Sequence, residues 1–533
     1  MKKLLVLLLT TLILVGIFSA CSKSVPKENA PAETDAAAST ADSMGDTAKP
    51  STLVYGSGDY TRINPAIDEH GEINVLIFNG LTAHAADNSL VPCLAKSWEY
   101  DEATHTYTFQ LEQGVKWHDG ESFTADDVKF TIEAIMNPEN ESEIASNYED
   151  VKEIKVIDAH TISFTLSANN VAFPEYMSIG MLPKHLLEGE SMQESDYFRF
   201  PIGTGPYKMS NWDEGQAITL VKNDDYFQGA PNIDTIVFKI VVDANAKALQ
   251  LKSGELDLAQ LTPKDAKTFE GNDKYTVYDM KTADYRGILY NFNNEYWQKN
   301  RDLIPAISFG IDRQAMIDAV LLGQGLVGYG PLQRNVYNNE NVEQYAYNPE
   351  KAKDILEAAG CVMGADGFYT RDGEKVGFTI SCSAGDQVRI DMAQVAAQQL
   401  KEIGIDVKVE VPAKTDWANQ MCYLIGWGSP FDADDHTYKV FGTDKGSNYS
   451  AYTNAKVDEY LTQARQTDDP AKRTEAYNLF QEELAKDPAY TFFCYVDADY
   501  VATNALSGIA ADTVLGHHGV GIFWNVCDWT LTK

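Results

Sequence analysis

The stretch FTISCSAGDQVRIDMAQVAAQQLKEIGIDVKVEV, residues 378–411, carries a strand, a helix and a second strand in one run. Phe378, Ile380 and Cys382 alternate with polar residues, the period-two spacing of a half-buried strand. From about Ile390 to Ile403 the apolar residues recur at helical spacing, and Gly404 ends the run. Ile405, Val407, Val409 and Val411 then alternate again. Two strands joined by one helix imply a parallel pair with a right-handed crossover, and so an α/β fold. Folds of this class bind ligands where loops meet at the carboxyl ends of strands.

Outward from this unit the pattern stays mixed, without internal repeats. Strand-like alternation occurs at Tyr107, Phe109 and Leu111, and again at Ile162, Phe164 and Leu166. Asp119 and Gly120 signal a turn, after which Thr124 and Asp127 have the spacing of a capping box. Val128, Ile132, Ile135 and Met136 then share one helical face. Asn348, Pro349 and Glu350 start another helix, which Gly360 ends. Two more helices are predicted at about 455–466 and 470–486, before a strand-like run at 490–496.

The N-terminus reads as an export leader: Lys2 and Lys3, an apolar run over 4–18, then Ser19, Ala20 and Cys21. Small residues before a cysteine imply a lipoprotein signal over 1–20 with lipidation at Cys21. Residues 22–51 hold almost only Ala, Ser, Thr, Pro, Lys, Asp and Glu, a composition that does not fold alone. A tether of that kind reaches about 30 Å. No further apolar stretch of spanning length follows, so the remainder is expected to be soluble. Its length predicts two or three domains. The formal charge of −35 argues against nucleic acid as a partner. Cys93, Cys361, Cys382, Cys422, Cys494 and Cys527 are widely spaced and show no zinc pattern; free buried thiols are expected.

Several stretches together carry a family resemblance. GVKWHDGESFTADDVKFTIEAI (114–135) is preceded by LAKSWEYDEATHTYTFQL. IGTGPYKMSNWDEGQAITLVKNDDYF begins at Ile202, SGELDLAQL at Ser253 and NPEKAKDILEAAG at Asn348. The chain resembles the family 5 extracellular solute-binding proteins, which include dipeptide, oligopeptide and nickel binding proteins. The resemblance implies a type II periplasmic-binding-protein-like α/β fold, with two lobes and an extra subdomain around a ligand cleft. It places 52–92, 201–289 and 503–533 in domain I, 93–200 in domain II and 290–502 in domain III, with hinges near Ile288 and Thr503. It also implies lobe closure over a peptide or similar small solute, delivery to ABC permease subunits driven by a separate ATPase, a monomer, and no cofactor.

Two loops are the candidate binding elements. Gly56 to Tyr60 contributes Asp59 and Tyr60; Gly426 to Asp432 contributes Trp427, Gly428, Phe431 and Asp432. Glycines let backbone approach a ligand, and the aromatics offer apolar faces. Tyr285 and Arg286 lead towards the expected hinge, where Arg286 would meet either a ligand carboxylate or an ordinary salt-bridge partner. In peptide-binding members an aspartate near the fourth position after the first glycine of this loop grips the ligand's amino terminus, and Pro430 stands there instead. The WGSPFD order is similar to the nickel branch, although Lys445 occupies the place of that branch's histidine. The cluster Asp432, Asp434, Asp435 and His436 suits a cation, an ammonium or plain solvation, and Asp432 or Asp59 is the expected anchor for a peptide amino terminus. His517 and His518, being adjacent, make a poor metal pair. HExxH, GxSxG and phosphate-loop motifs are absent, which argues against an enzyme.

Overall fold

Two long strands, Tyr275–Tyr290 and Tyr490–Thr503, run antiparallel through the middle of the molecule and connect its two lobes. The computed structural model describes residues 50–68 and 71–532; the expected leader, Cys21 and residues 22–49 of the tether lie outside them. Ser51, read from sequence as the end of the tether, already belongs to the fold. Its backbone N–H and hydroxyl donate to Asp234 Oδ2 at 2.7 and 3.0 Å.

The long strands lie at the centre of an eleven-stranded sheet among the described residues. On one side Leu258–Leu261 pairs with Tyr490–Thr503, followed by Thr52–Ser57, Thr235–Ile240, Ala217–Lys222 and Tyr207–Asp213. On the other side Cys422–Trp427 pairs with Tyr275–Tyr290, followed by Gly377–Ser381 and Asp406–Glu410. The last two are parallel, with Gly377 opposite Asp406, and helix Gln387–Glu402 joins them. This is the crossover unit that periodicity predicts.

A separate four-stranded antiparallel sheet orders Ala95–Asp101, Thr106–Leu111, Thr161–Leu166 and Val151–Asp158. Helix Ala125–Met136 begins with the expected capping box: Asp127 accepts from the Thr124 N–H at 2.8 Å. The buried residues of this sheet belong to the same hydrophobic cluster as Leu53, Phe238 and Trp529, so 93–200 shares its core with the segments expected in domain I. Its WHDG turn is structural. His118 accepts from the Gly203 N–H at Nδ1 and donates from Nε2 to the Gly205 carbonyl, at 3.1 and 3.0 Å, and burial pushes its pKa down to about 4.

The two large cores meet inside the long strands. Met280, Ala498 and Tyr500 belong to one; Tyr285, Ile288 and the buried residues between Tyr490 and Val496 belong to the other. The ladder breaks at the same place, between the pairs Lys281–Asp497 and Tyr285–Tyr495. Thr282 bridges instead to Leu515, and the Ala283 N–H donates to the Leu515 carbonyl at 2.9 Å. The crossing therefore lies at residues 282–284 and 496–497. Ile288 and Thr503, the positions expected from sequence, sit within intact pairing opposite Thr491 and Tyr275. The six cysteines among the described residues are free, five of them buried. No helix among the described residues is long and apolar enough to cross a membrane.

Candidate functional site

A cavity of about 510 Å³ lies beside this crossing, within the range usual for small-ligand sites. One wall is the loop after Cys422–Trp427, contributing Gly428, Ser429, Pro430, Phe431, Asp435 and His436. The other walls come chiefly from residues between Pro65 and Cys93, from 178–180 and from residues between Thr513 and Asp528. Gly428 is required: its φ is 146°, and a Cβ there would overlap the Ala283 carbonyl. The loop is thereby packed directly onto the crossing.

Phe431 reaches the opposite wall, where its ring stacks on His84 with centroids 3.6 Å apart and planes 13° from parallel. His84 Nε2 makes a very short contact with Glu175, whose carboxyl is raised by burial against the opposing pull of His84. Trp427 is buried opposite Tyr285 and forms ring contacts with His517 and His436, at 6.0 and 5.4 Å between centroids.

Among the residues expected from sequence, Gly428 and Phe431 line the cavity and Trp427 backs it. Asp432 is held elsewhere, its two oxygens each 2.7 Å from the Arg473 guanidinium in a bidentate pair. Its neighbour Asp434 is 1% exposed and receives Arg465 at 2.6 Å and the Tyr176 hydroxyl. Asp435 lines the cavity and lies 3.5 Å from buried Lys439. Arg286 is buried against Asp284, which also meets His517 Nδ1 at 2.9 Å. Tyr285 is fully buried among Phe492 and Tyr495. Asp59 is exposed and accepts from the Tyr60 N–H at 2.9 Å, while the Tyr60 ring packs on Phe238. Neither Asp59 nor Tyr60 is among the cavity-lining residues. His517 and His518 have ring centroids 3.9 Å apart, with His517 held by Asp284.

His84, Glu175 and His517 are the side chains that sequence reasoning did not place here. His84 and Glu175 lie far apart in the chain and far from Phe431, so no local pattern joins them. The pairing of Arg286 with Asp284 did have a signal, because positions two apart on a strand share a face.

Comparison with known proteins agrees with this architecture. Residues 89–449 match the model of bacterial extracellular solute-binding proteins, family 5 Middle. The oligopeptide-binding protein AppA of Bacillus subtilis is 30% identical over 558 aligned residues, covering 100% of this chain and 99% of that protein. The solved structure of NikZ from Campylobacter jejuni with Ni(L-His) superposes with a TM-score of 0.84 at 34% identity, covering 90% of this chain and 99% of that one. The structure of Bacillus subtilis AppA with a nonapeptide gives 0.80 at 29% identity, covering 91% and 100%. The chain belongs to the family 5 bacterial extracellular solute-binding proteins, the solute-capturing subunits of ABC importers.

Proposed function

We infer that this binding protein captures short peptides in the 510 Å³ cavity and delivers them to its permease. The observation that carries the reading is the lining itself. Asp68, Asp435 and Asp528 line the cavity and, among the described residues, no lysine or arginine does, a surrounding that suits the ammonium end of a small solute. A buried ammonium without a partner is costly, so the carboxylates define the cargo's charge. Apolar faces from Phe431 and Phe523 suit side chains of varied size. The resemblance to oligopeptide-binding AppA over the whole chain supports the same cargo class.

The protein acts without catalysis: it binds and releases. Closure of the lobes about residues 282–284 and 496–497 would enclose the cargo, because only the closed form contacts it from both sides. The division into 52–92 with 201–289 and 503–533, 93–200, and 290–502 supplies the moving parts in this account, with the boundaries near 290 and 503 shifted inward to the break in the ladder. Cys21 would carry the lipid that holds the protein at the outer face of the cell membrane.

A second reading is favoured by one specific observation. His84, His436 and His517 each line the cavity, imidazoles that suit a metal–amino-acid chelate bringing donors of its own, since among the described residues no three metal-ligating side chains converge; NikZ with Ni(L-His) is similar at 34% identity. Native mass spectrometry of freshly purified protein separates the two. A one-to-one adduct of peptide mass supports the first; an adduct containing nickel and histidine replaces it with the second.

A further inference from the structure

Away from the cargo cavity, Arg313 opens the short helix Arg313–Val320 and is 5% exposed, yet among the described residues no carboxylate pairs with it. Burial pushes its pKa down to about 10, against the pull of Tyr290, Cys494 and Tyr345, so it remains a cation at neutral pH. Its Nε–H donates to the Phe492 carbonyl at 2.7 Å. Nη1 donates to the Tyr345, Ser308 and Ile311 carbonyls at 2.8, 3.0 and 3.3 Å. Nη2 makes no bond among the described residues. Carbonyl dipoles offset part of the charge, but a buried cation still calls for an anion.

Arg313 lines a second cavity, of about 20 Å³, and among the described residues it is the one charged side chain on that lining. The space admits a single water-sized or chloride-sized particle. Tyr490, 2% exposed, lines the same cavity, and its hydroxyl has no hydrogen-bond partner. Buried polar groups left unmade in this way are rare and expensive. Tyr345, Ser308 and Gln481 share the lining but are engaged elsewhere: the Tyr345 hydroxyl donates to the Ala485 carbonyl at 2.6 Å, Ser308 Oγ meets Thr491 Oγ1 at 2.7 Å, and the Gln481 amide donates to the Tyr337 and Tyr477 carbonyls. The unspent donors are therefore those of Arg313 and Tyr490. Tyr329, Gly330 and Pro331 form another wall, held by the Tyr495 hydroxyl donating to the Gly330 carbonyl at 2.8 Å. The same loop carries Arg334 to the Thr282 carbonyl at the crossing, at 2.7 Å.

We propose that this second cavity binds one chloride-sized monovalent anion, which accepts from Arg313 Nη2 and the Tyr490 hydroxyl. The anion neutralises the buried guanidinium, which a water in the same space would leave uncompensated, and it fixes the loop at 329–331 that leads to the crossing. The site is separate from the cargo cavity and stands whatever the cargo is.

Because Arg313 also ties down four carbonyls, its replacement endangers the fold, and Tyr490→Phe is the informative variant. Wild type and Tyr490→Phe are melted in sodium chloride and in sodium gluconate at equal ionic strength. Wild-type crystals grown in sodium bromide are measured at the bromine absorption edge. Wild type should melt higher in chloride by about 3 °C, along a curve that saturates. Tyr490→Phe should need about 10-fold more chloride for half the effect, the loss of one hydrogen bond to a charged group. A bromide peak should lie between Arg313 and Tyr490. Identical melting in the two salts, or no bromide peak in the cavity, would make it a water-filled void and overturn the site. A half-point that Tyr490→Phe leaves unchanged would overturn the assignment as well.

Discussion

His84 and Phe431 stack face to face across the cavity, 3.6 Å between centroids, although they belong to segments on opposite sides of it. The stack ties the cargo-facing loop to the opposite wall, so lobe opening in the proposed cycle would have to break it. Phe431→Ala should therefore weaken cargo binding by about 3- to 10-fold, the worth of an aromatic pair beyond simple burial. Calorimetry checks this; an unchanged affinity would leave the stack without a role in closure.

The same loop is pinned from behind by two Asp–Arg pairs of different depth. Asp434→Asn strands the guanidinium of Arg465, whose side chain is 5% exposed, and should cost about 3–5 kcal/mol in urea unfolding. Because Tyr176 and Asp150 also meet Arg465, the variant should scatter X-rays as a more open particle. Asp432→Asn should cost less, since Arg473 is 11% exposed and keeps its bond to the Ala464 carbonyl. In Asp432→Asn, N-acetylating a bound peptide should still weaken binding as much as in wild type. That outcome separates a bracing role for Asp432 from the amino-terminal anchor expected from sequence.

Asp499 predicts a pH dependence. It is buried on the long strand Tyr490–Thr503, directly opposite Asp279 and near Asp497, and burial and then Asp279 raise its pKa to about 7. The folded chain thus holds this proton more tightly than the unfolded chain, whose aspartate titrates near 4. Its contribution to stability is full below pH 4 and declines as pH rises to about 7. Asp499→Asn should melt like wild type at pH 4 and exceed it by a margin that widens to several degrees at pH 8. Parallel melting curves at both pH values would contradict the assignment.

Cys21→Ala should move the protein from the membrane fraction to the soluble fraction on cell fractionation, without altering its cargo affinity. Retention in the membrane fraction would rule out the lipid anchor.

Much of the fold was legible because its signals are local. The crossover unit at 378–411, the capping box at Thr124 and the helix begun by Asn348 depend on periodicity and caps within a few turns. Gly428 and Phe431 were legible as a flexible aromatic loop after a buried strand. The chemistry of that loop was not, because charges choose partners through tertiary packing. Asp432 looked available until helix Pro470–Lys486 delivered Arg473 to it. The break in the long ladder is hidden for a related reason: hydrophobic alternation continues through Thr282 to Tyr285, and only the switch of pairing to Leu515 reveals it.

The central claim is that cargo occupies the cavity beside the WGSPFD loop, and calorimetry of unfolded and refolded, cargo-free protein tests it most directly. Ser429 lines that cavity, so Ser429→Trp should fill it while leaving the Asp432 and Asp434 pairs intact. Wild type is predicted to bind a di- or tripeptide saturably at one per chain, and Ser429→Trp to show no binding at the same melting temperature. Equal binding by both proteins would place the cargo elsewhere and contradict the account.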